Sequence, residues 1–132
     1  MSSINDKKIV MYIFVNKDLE MTKGKTCSQV AHITQLIVEE IIRKGYECCP
    51  PHESYFTYMK WRSNSTTHSL NPVGTKIVLK ASEEELKELI KKENARYIID
   101  DGQTQVKPNS LTVVGFFPSS EMEDVVRNFK LL

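Results

Sequence analysis

Residues 8–15, KIVMYIFV, form an almost uninterrupted apolar run rich in β-branched and aromatic side chains. This pattern is typical of a strand buried on both faces, because a strand with one face in water alternates apolar and polar residues. Such a strand needs other elements packed against both faces of its sheet. Together with the helices and strands that follow it in the sequence, the run predicts an α/β fold.

The remaining elements follow from helix signals and further apolar runs. A long amphipathic helix is predicted from near Gly24 to about Lys44, with Gly45 as its C-terminal stop. Ser82 followed by Glu85 is a capping box that opens a second helix. Further strands are predicted at residues 75–80, 96–99 and 111–117, and an aromatic-rich helix at 55–61. Ser119 and Ser120, with acidic residues after them, are predicted to open a last helix. The expected fold is a single domain over residues 1–132, a three-layer α/β/α sandwich with a mixed four-stranded sheet.

Composition excludes several classes of protein. A net charge of +1 does not indicate a general nucleic-acid binder. The longest apolar run, residues 9–15, is far shorter than the roughly 20 residues of a membrane span, so a cytoplasmic location is expected. The cysteines, Cys27, Cys48 and Cys49, are odd in number and two are adjacent, which fits neither a disulfide framework nor a zinc site. No metal site is predicted.

Two polar motifs each follow an apolar run. Lys23 and Lys25 stand at the start of the long helix, where backbone N–H groups favour an anion. The upstream glycine of a phosphate-binding loop is missing, since position 19 is leucine, which argues against a nucleotide triphosphatase. Asp100 and Thr104 follow a later strand, and strand ends gather at one edge of an open α/β sheet. Lys25, Asp100 and Thr104 are therefore predicted to form a water-activating site.

The polar face of the long helix admits two interpretations. Lys25, Gln29 and His32 fall within one narrow stripe opposite the apolar arc of the helix. A solvated face is the ordinary explanation of such a stripe. The functional explanation rests on Lys25, which lies in the first turn, directly after a strand.

Several motifs occur in a fixed order along the chain. They are residues 8–15, Asp18-Leu19-x-Met21-x-x-Gly24-Lys25, Gln29-Val30-Ala31-His32, residues 76–80, Asp100-x-Gly102-x-Thr104-Gln105, and a tail from Thr112 to Leu132. Together they resemble the archaeal and eukaryotic-type (type 2) peptidyl-tRNA hydrolase family over nearly the whole chain. The Lys25 and Asp100 motifs are specific to that family.

The resemblance implies an enzyme that hydrolyses the ester bond between a peptide, or an N-blocked aminoacyl group, and tRNA, releasing free tRNA for reuse in translation. It implies a homodimer and no metal or organic cofactor. The residues implicated in activity correspond to Lys25, Asp100, Thr104 and Thr112. The residues expected to bind the substrate are Gln29 and His32, from the family's first helix, and Lys23, from its charge.

Some positions depart from the family pattern. Asp101 adds a carboxylate that repels phosphate where the family usually has alanine, and Cys27-Ser28 replaces a pair of small residues. Asn109 and Phe117 each replace a usual glycine. None of these changes removes an expected catalytic group. Two alternatives remain at this point: a non-catalytic descendant that binds RNA or a protein partner, and a purely structural α/β domain.

Overall fold

The computed structural model of the chain describes residues 7–64, 70–102 and 106–132. In chain order the elements are β1 (Met11–Asn16), a 3₁₀ helix (Lys17–Leu19), α1 (Lys23–Glu47), α2 (Glu53–Ser63), β2 (Lys76–Ala81), α3 (Glu83–Leu89), β3 (Ala95–Asp100), β4 (Ser110–Phe116), α4 (Glu123–Val126) and β5 (Lys130–Leu131). Within these ranges one sheet has the order β3-β4-β1-β2-β5. The pair β1–β2 is parallel, while β1–β4, β3–β4 and β2–β5 are antiparallel. The predicted mixed α/β class is confirmed.

The predicted number of strands is wrong, because the described part of the sheet has five strands and not four. The extra strand, β5, has two residues, and Leu131 and Lys130 pair with Leu79 and Lys80 at the edge of the sheet. A strand of two residues is too short to show an alternating pattern in the sequence. It exists because the chain returns to an open edge that offers unpaired backbone groups.

The predicted helix boundaries also need correction at two places. Ser119 and Ser120 do not open the last helix, because Ser119 instead exchanges two backbone hydrogen bonds with Val10, and α4 begins at Glu123. Gly45 does not end α1, which continues to Glu47. A Cβ atom at position 45 would lie 2.4 Å from Cδ1 of Tyr55. Gly45 therefore permits the close approach of α2.

Successive side chains of β1 enter two different hydrophobic clusters, as the apolar run predicts. Met11, Ile13 and Val15 pack with residues of α1 and α2, which include Ile33, Ile37, Ile41, Tyr58 and Trp61. Phe14 packs with a second cluster that includes Leu86 and Leu89 of α3. The predicted aromatic-rich helix is confirmed as α2, which contributes two buried rings, Tyr58 and Trp61, to the first cluster. The capping box of Ser82 and Glu85 is also confirmed.

Several elements begin or end with polar residues along the edge of the sheet that is formed by strand ends, not along the side where β5 pairs. Because β1 is parallel to β2, and β3 and β1 are both antiparallel to β4, the carboxyl ends of β1, β2 and β3 point to the same edge. At this edge β1 ends at Asn16, β3 ends at Asp100, and β4 begins at Ser110. Helix α1 starts nearby, capped by the Thr22 side chain, which accepts a hydrogen bond from the Lys25 N–H.

Candidate active site

Lys25 and Asp100 meet at this edge of the sheet. Lys25 Nζ lies 2.9 Å from Asp100 Oδ1, although the two residues are 75 positions apart. Their side chains are only 12% and 13% exposed. An ion pair in such a setting is screened less by water than one on an open surface. The structure thus brings together two of the three residues predicted to form a water-activating site.

Asp100 is held by a second donor from its own loop. The backbone N–H of Gly102 donates to Asp100 Oδ2 at 2.8 Å. The hydrogen bond from Lys25 and then that from Gly102 lower the pKa of Asp100, with smaller Coulombic contributions from Lys25 and His32. Asp100 is therefore a carboxylate at neutral pH, with an oxygen bound on each side.

Gly102 is required by the backbone at this position. Its φ angle is +79°, in the left-handed region that side chains disfavour. A Cβ atom here would also lie 2.4 Å from the backbone nitrogen of Pro108. The loop is further closed by the Asn109 N–H, which donates to the Asp100 carbonyl at 2.8 Å. Gly102 therefore permits the tight turn that directs its N–H at the Asp100 carboxylate.

Thr112 of β4 and Gln29 of α1 form a buried hydrogen-bonded pair between the sheet and the helix that carries Lys25. Thr112 Oγ1 donates to Gln29 Oε1 at 2.6 Å, and the two residues are 0% and 2% exposed. The pairing of β3 with β4 steps from Ile98↔Val113 to Ile99↔Leu111, which leaves Thr112 as an extra residue in a β-bulge. A bulge can redirect a side chain. Here the Thr112 hydroxyl is directed onto α1.

The interpretation of the α1 polar stripe as a solvated face is wrong for Gln29. Helix periodicity places Gln29 opposite the apolar arc, yet its side chain is buried against β4. Helix periodicity gives the wrong environment for Gln29 because the bulge in β4 supplies a buried polar partner, which the sequence of α1 does not reveal. His32, one turn further along α1, is exposed.

His32 has a partner that the motif analysis did not single out. Its Nε2 lies 3.2 Å from Ser28 Oγ, one turn earlier on the same helix. In the sequence, only the spacing of four residues between Ser28 and His32 indicated that these two side chains could meet on the helix. Lys23, at the start of α1, is exposed. Thr104 lies outside the described residues.

The described ranges offer neither a metal centre nor a membrane segment. In those ranges, no group of three or more His, Cys, Asp or Glu side chains could hold a metal ion. Their helices are all too short or too polar to cross a bilayer. The three cysteines, Cys27, Cys48 and Cys49, are free and exposed.

Comparison with known proteins gives a consistent result. A family model described as peptidyl-tRNA hydrolase PTH2 matches residues 9–132. A peptidyl-tRNA hydrolase from Sulfolobus acidocaldarius is 33% identical over an alignment of 132 positions, gaps included, which covers 92% of this chain and 98% of the relative. Relatives of the same name from Methanococcus maripaludis strain C7 and Methanococcus vannielii are 32% and 31% identical, each covering 91% of this chain and 96% of the relative.

Proposed function

This chain belongs to the peptidyl-tRNA hydrolase PTH2 family, and we propose which of its residues carry out the hydrolysis of peptidyl-tRNA. The activity is cleavage of the ester bond between a peptide and tRNA, which releases free tRNA. The observation that carries the assignment of roles is the contact of 2.9 Å between Lys25 Nζ and Asp100 Oδ1.

Asp100 orients the attacking water. Its lowered pKa makes it a weak base, so complete removal of a proton before attack is unfavourable. A carboxylate held by Lys25 and Gly102 can still accept a hydrogen bond from water. Oriented in this way, the water lone pair faces the ester carbonyl, and Asp100 shares the proton as the bond forms.

Lys25 stabilises the oxyanion that develops on the ester carbonyl. The Lys25 ammonium group is a positively charged hydrogen-bond donor, held 2.9 Å from Asp100 Oδ1. A positive charge in a partly dry site lowers the energy of a developing negative charge more than it would in water. The pair with Asp100 also fixes the ammonium in place before the substrate arrives.

Thr112 and Gln29 act as positioning residues. Their burial supports this role, because fully buried groups do not touch a tRNA-sized substrate. Gln29 lies one helical turn after Lys25, so its anchoring to β4 holds this part of α1 against the sheet. Thr104 keeps the part in water activation that its place in the Asp100 motif predicts, and the family resemblance implicates it in activity.

Binding of tRNA is assigned to the exposed start of α1. Lys23 supplies a positive charge at a helix N-terminus, where backbone N–H groups also attract phosphate. His32 is exposed on the same helix and close enough to Asp100 to influence its pKa. These groups would bind the 3′ end of the tRNA beside the Lys25–Asp100 pair.

The roles are tested by hydrolysis of N-acetyl-aminoacyl-tRNA, with a chelator present, by wild type, Lys25→Ala and Asp100→Asn. Each substitution should reduce kcat by roughly 10²- to 10⁴-fold. Lys91→Ala is a matched control, because Lys91 forms an ion pair of 2.7 Å with Glu88 far out on the surface, both side chains 70% or more exposed. Its activity should equal that of wild type. A wild type that binds tRNA without hydrolysing it would favour the non-catalytic alternative.

The homodimer that the resemblance implies has a suitable surface along α1. An open cavity of about 690 Å³ is lined mainly by apolar groups, among them Val30, Ala31, Val78 and Leu132. Burial of such a surface by a second copy is favourable. In analytical ultracentrifugation the wild type should sediment as a dimer and Ala31→Glu as a monomer. A monomeric wild type at micromolar concentration would refute this assignment.

We also infer the number of layers in the fold, the number of domains and the cellular location. The two hydrophobic clusters that share β1 support a three-layer sandwich. The match of one family model to residues 9–132 supports a single domain. The free cysteines are consistent with a reducing compartment, and thus with a cytoplasmic location.

A further inference from the structure

Asn16 is a polar residue buried at the point where β1 leaves the sheet. It is 1% exposed and is the last residue of β1. The antiparallel pairing of β1 with β4 ends one residue earlier, at Val15↔Val113. Beyond that pair the backbone of β1 turns into the 3₁₀ helix, so its ladder with β4 does not continue to Thr112 and Leu111.

The Asn16 side chain forms hydrogen bonds at the point where the backbone pairing of β1 with β4 ends. Its Nδ2 donates to the Leu111 carbonyl at 2.8 Å, and its Oδ1 accepts from the Asp18 N–H at 2.9 Å. Leu111 is the residue directly before the bulged Thr112. Asn16 thus ties the bulge on β4 to the start of the 3₁₀ helix.

The bulge decides which acceptor the Thr112 hydroxyl meets. Thr112 Oγ1 is 2.6 Å from Gln29 Oε1 and 3.4 Å from the Ile98 carbonyl. The two distances differ by less than 1 Å, so a small shift of the bulge would exchange one acceptor for the other. Side chains of neighbouring residues in a strand point to opposite faces, so a change of register would move Thr112 away from α1 altogether.

We propose that Asn16 is a positioning residue for peptidyl-tRNA hydrolysis, which holds the β4 bulge so that Thr112 engages Gln29. This inference rests on the positioning role proposed above for Thr112 and Gln29. The Asn16 bond to Leu111 fixes one side of the bulge, and the Val15↔Val113 pair fixes the other. Thr112 is thereby held between two attachments to β1.

The test uses Asn16→Ser, which separates the two hydrogen bonds of Asn16. Serine is a good helix N-cap and can keep the bond from the Asp18 N–H, but its hydroxyl is too short to reach the Leu111 carbonyl. Trp61→Phe is the matched control. It removes a side-chain donor to a backbone carbonyl, from Trp61 Nε1 to Thr75 O at 2.7 Å, near the opposite end of β1.

With N-acetyl-aminoacyl-tRNA, Asn16→Ser should lower kcat by about 10- to 100-fold with KM little changed, because the displaced groups act on geometry and do not contact the substrate. It should also shift the NMR signals of the Gln29 side-chain amide. Trp61→Phe should change neither. In a Thr112→Val background, Asn16→Ser should have little further effect on kcat, since coupled residues are not additive.

Three results would overturn the inference: an unchanged kcat for Asn16→Ser, unchanged Gln29 amide signals, or equal losses in the wild-type and Thr112→Val backgrounds. Thr112→Val alone separates this inference from the role on which it rests. A fully active Thr112→Val would refute the role of Thr112 itself. An impaired Thr112→Val beside a fully active Asn16→Ser would refute only the role of Asn16.

Discussion

Replacement of Thr112 by valine removes one hydroxyl group and almost nothing else. The two side chains have nearly the same shape, and Thr112 is 0% exposed. In the wild type its hydroxyl donates to Gln29 Oε1 at 2.6 Å, and Gln29 is itself 2% exposed. The variant therefore leaves the Gln29 amide oxygen buried without this donor.

The expected cost follows from that burial. A buried polar group deprived of its partner destabilises a protein by about 1–3 kcal/mol, whereas replacing both partners by apolar groups can be nearly neutral. Thr112→Val should thus lower the free energy of unfolding by about 1–3 kcal/mol. Gln29→Met should cost less, because the Thr112 hydroxyl can turn to the Ile98 carbonyl, now 3.4 Å away. The double variant should be more stable than Thr112→Val alone.

Urea denaturation at pH 7, monitored by circular dichroism, gives the free energy of unfolding of the wild type, Thr112→Val, Gln29→Met and the double variant. The hydrolysis rate should remain low in the double variant even where its stability is recovered, because the link from β4 to α1 is still absent. A Thr112→Val protein as stable as wild type would refute the argument from burial. A double variant with recovered activity would show that the link affects stability alone.

Further predictions concern the surroundings of this pair. Lys25→Met should raise the pKa of Asp100 towards its ordinary value, measured by ¹³C NMR of the carboxyl carbon; no change would contradict the ion pair. Folding lowers the pKa of Asp100, so its carboxylate should stabilise the fold at pH values above the ordinary aspartate pKa. This stabilisation should be lost as the pH falls through the lowered pKa of the folded state. Acid titration of the free energy of unfolding should show the loss in wild type but not in Asp100→Asn. Gly102→Ala should reduce kcat, because its backbone φ of +79° and the nearby Pro108 exclude a Cβ atom; wild-type kinetics would contradict this. The affinity for tRNA should fall with salt by about −0.7 in log–log slope for each phosphate contact, and Lys23→Ala should make the slope shallower by about one contact; a salt-independent affinity would exclude binding through lysines.

The sequence by itself determined the features that depend on neighbouring residues. The apolar run of β1 predicts a strand buried on both faces, and Ser82 with Glu85 predicts the start of α3. The family could also be identified from the motifs around Lys25 and Asp100, which the family match confirms. Periodicity, capping and motif spacing are local properties, so they can be read without knowledge of what packs against each segment.

Only the tertiary structure decided the features that depend on distant partners. Gln29 belongs by periodicity to a polar face, yet it is buried because a bulge 83 residues further along the chain directs Thr112 towards it. The two-residue strand β5 exists because β2 leaves an edge to pair with. The role of Asn16 likewise arises where one strand departs from its neighbour. A bulge, a sheet edge and a buried polar contact are each set by which strands meet and in what register, and no local pattern of residues specifies that.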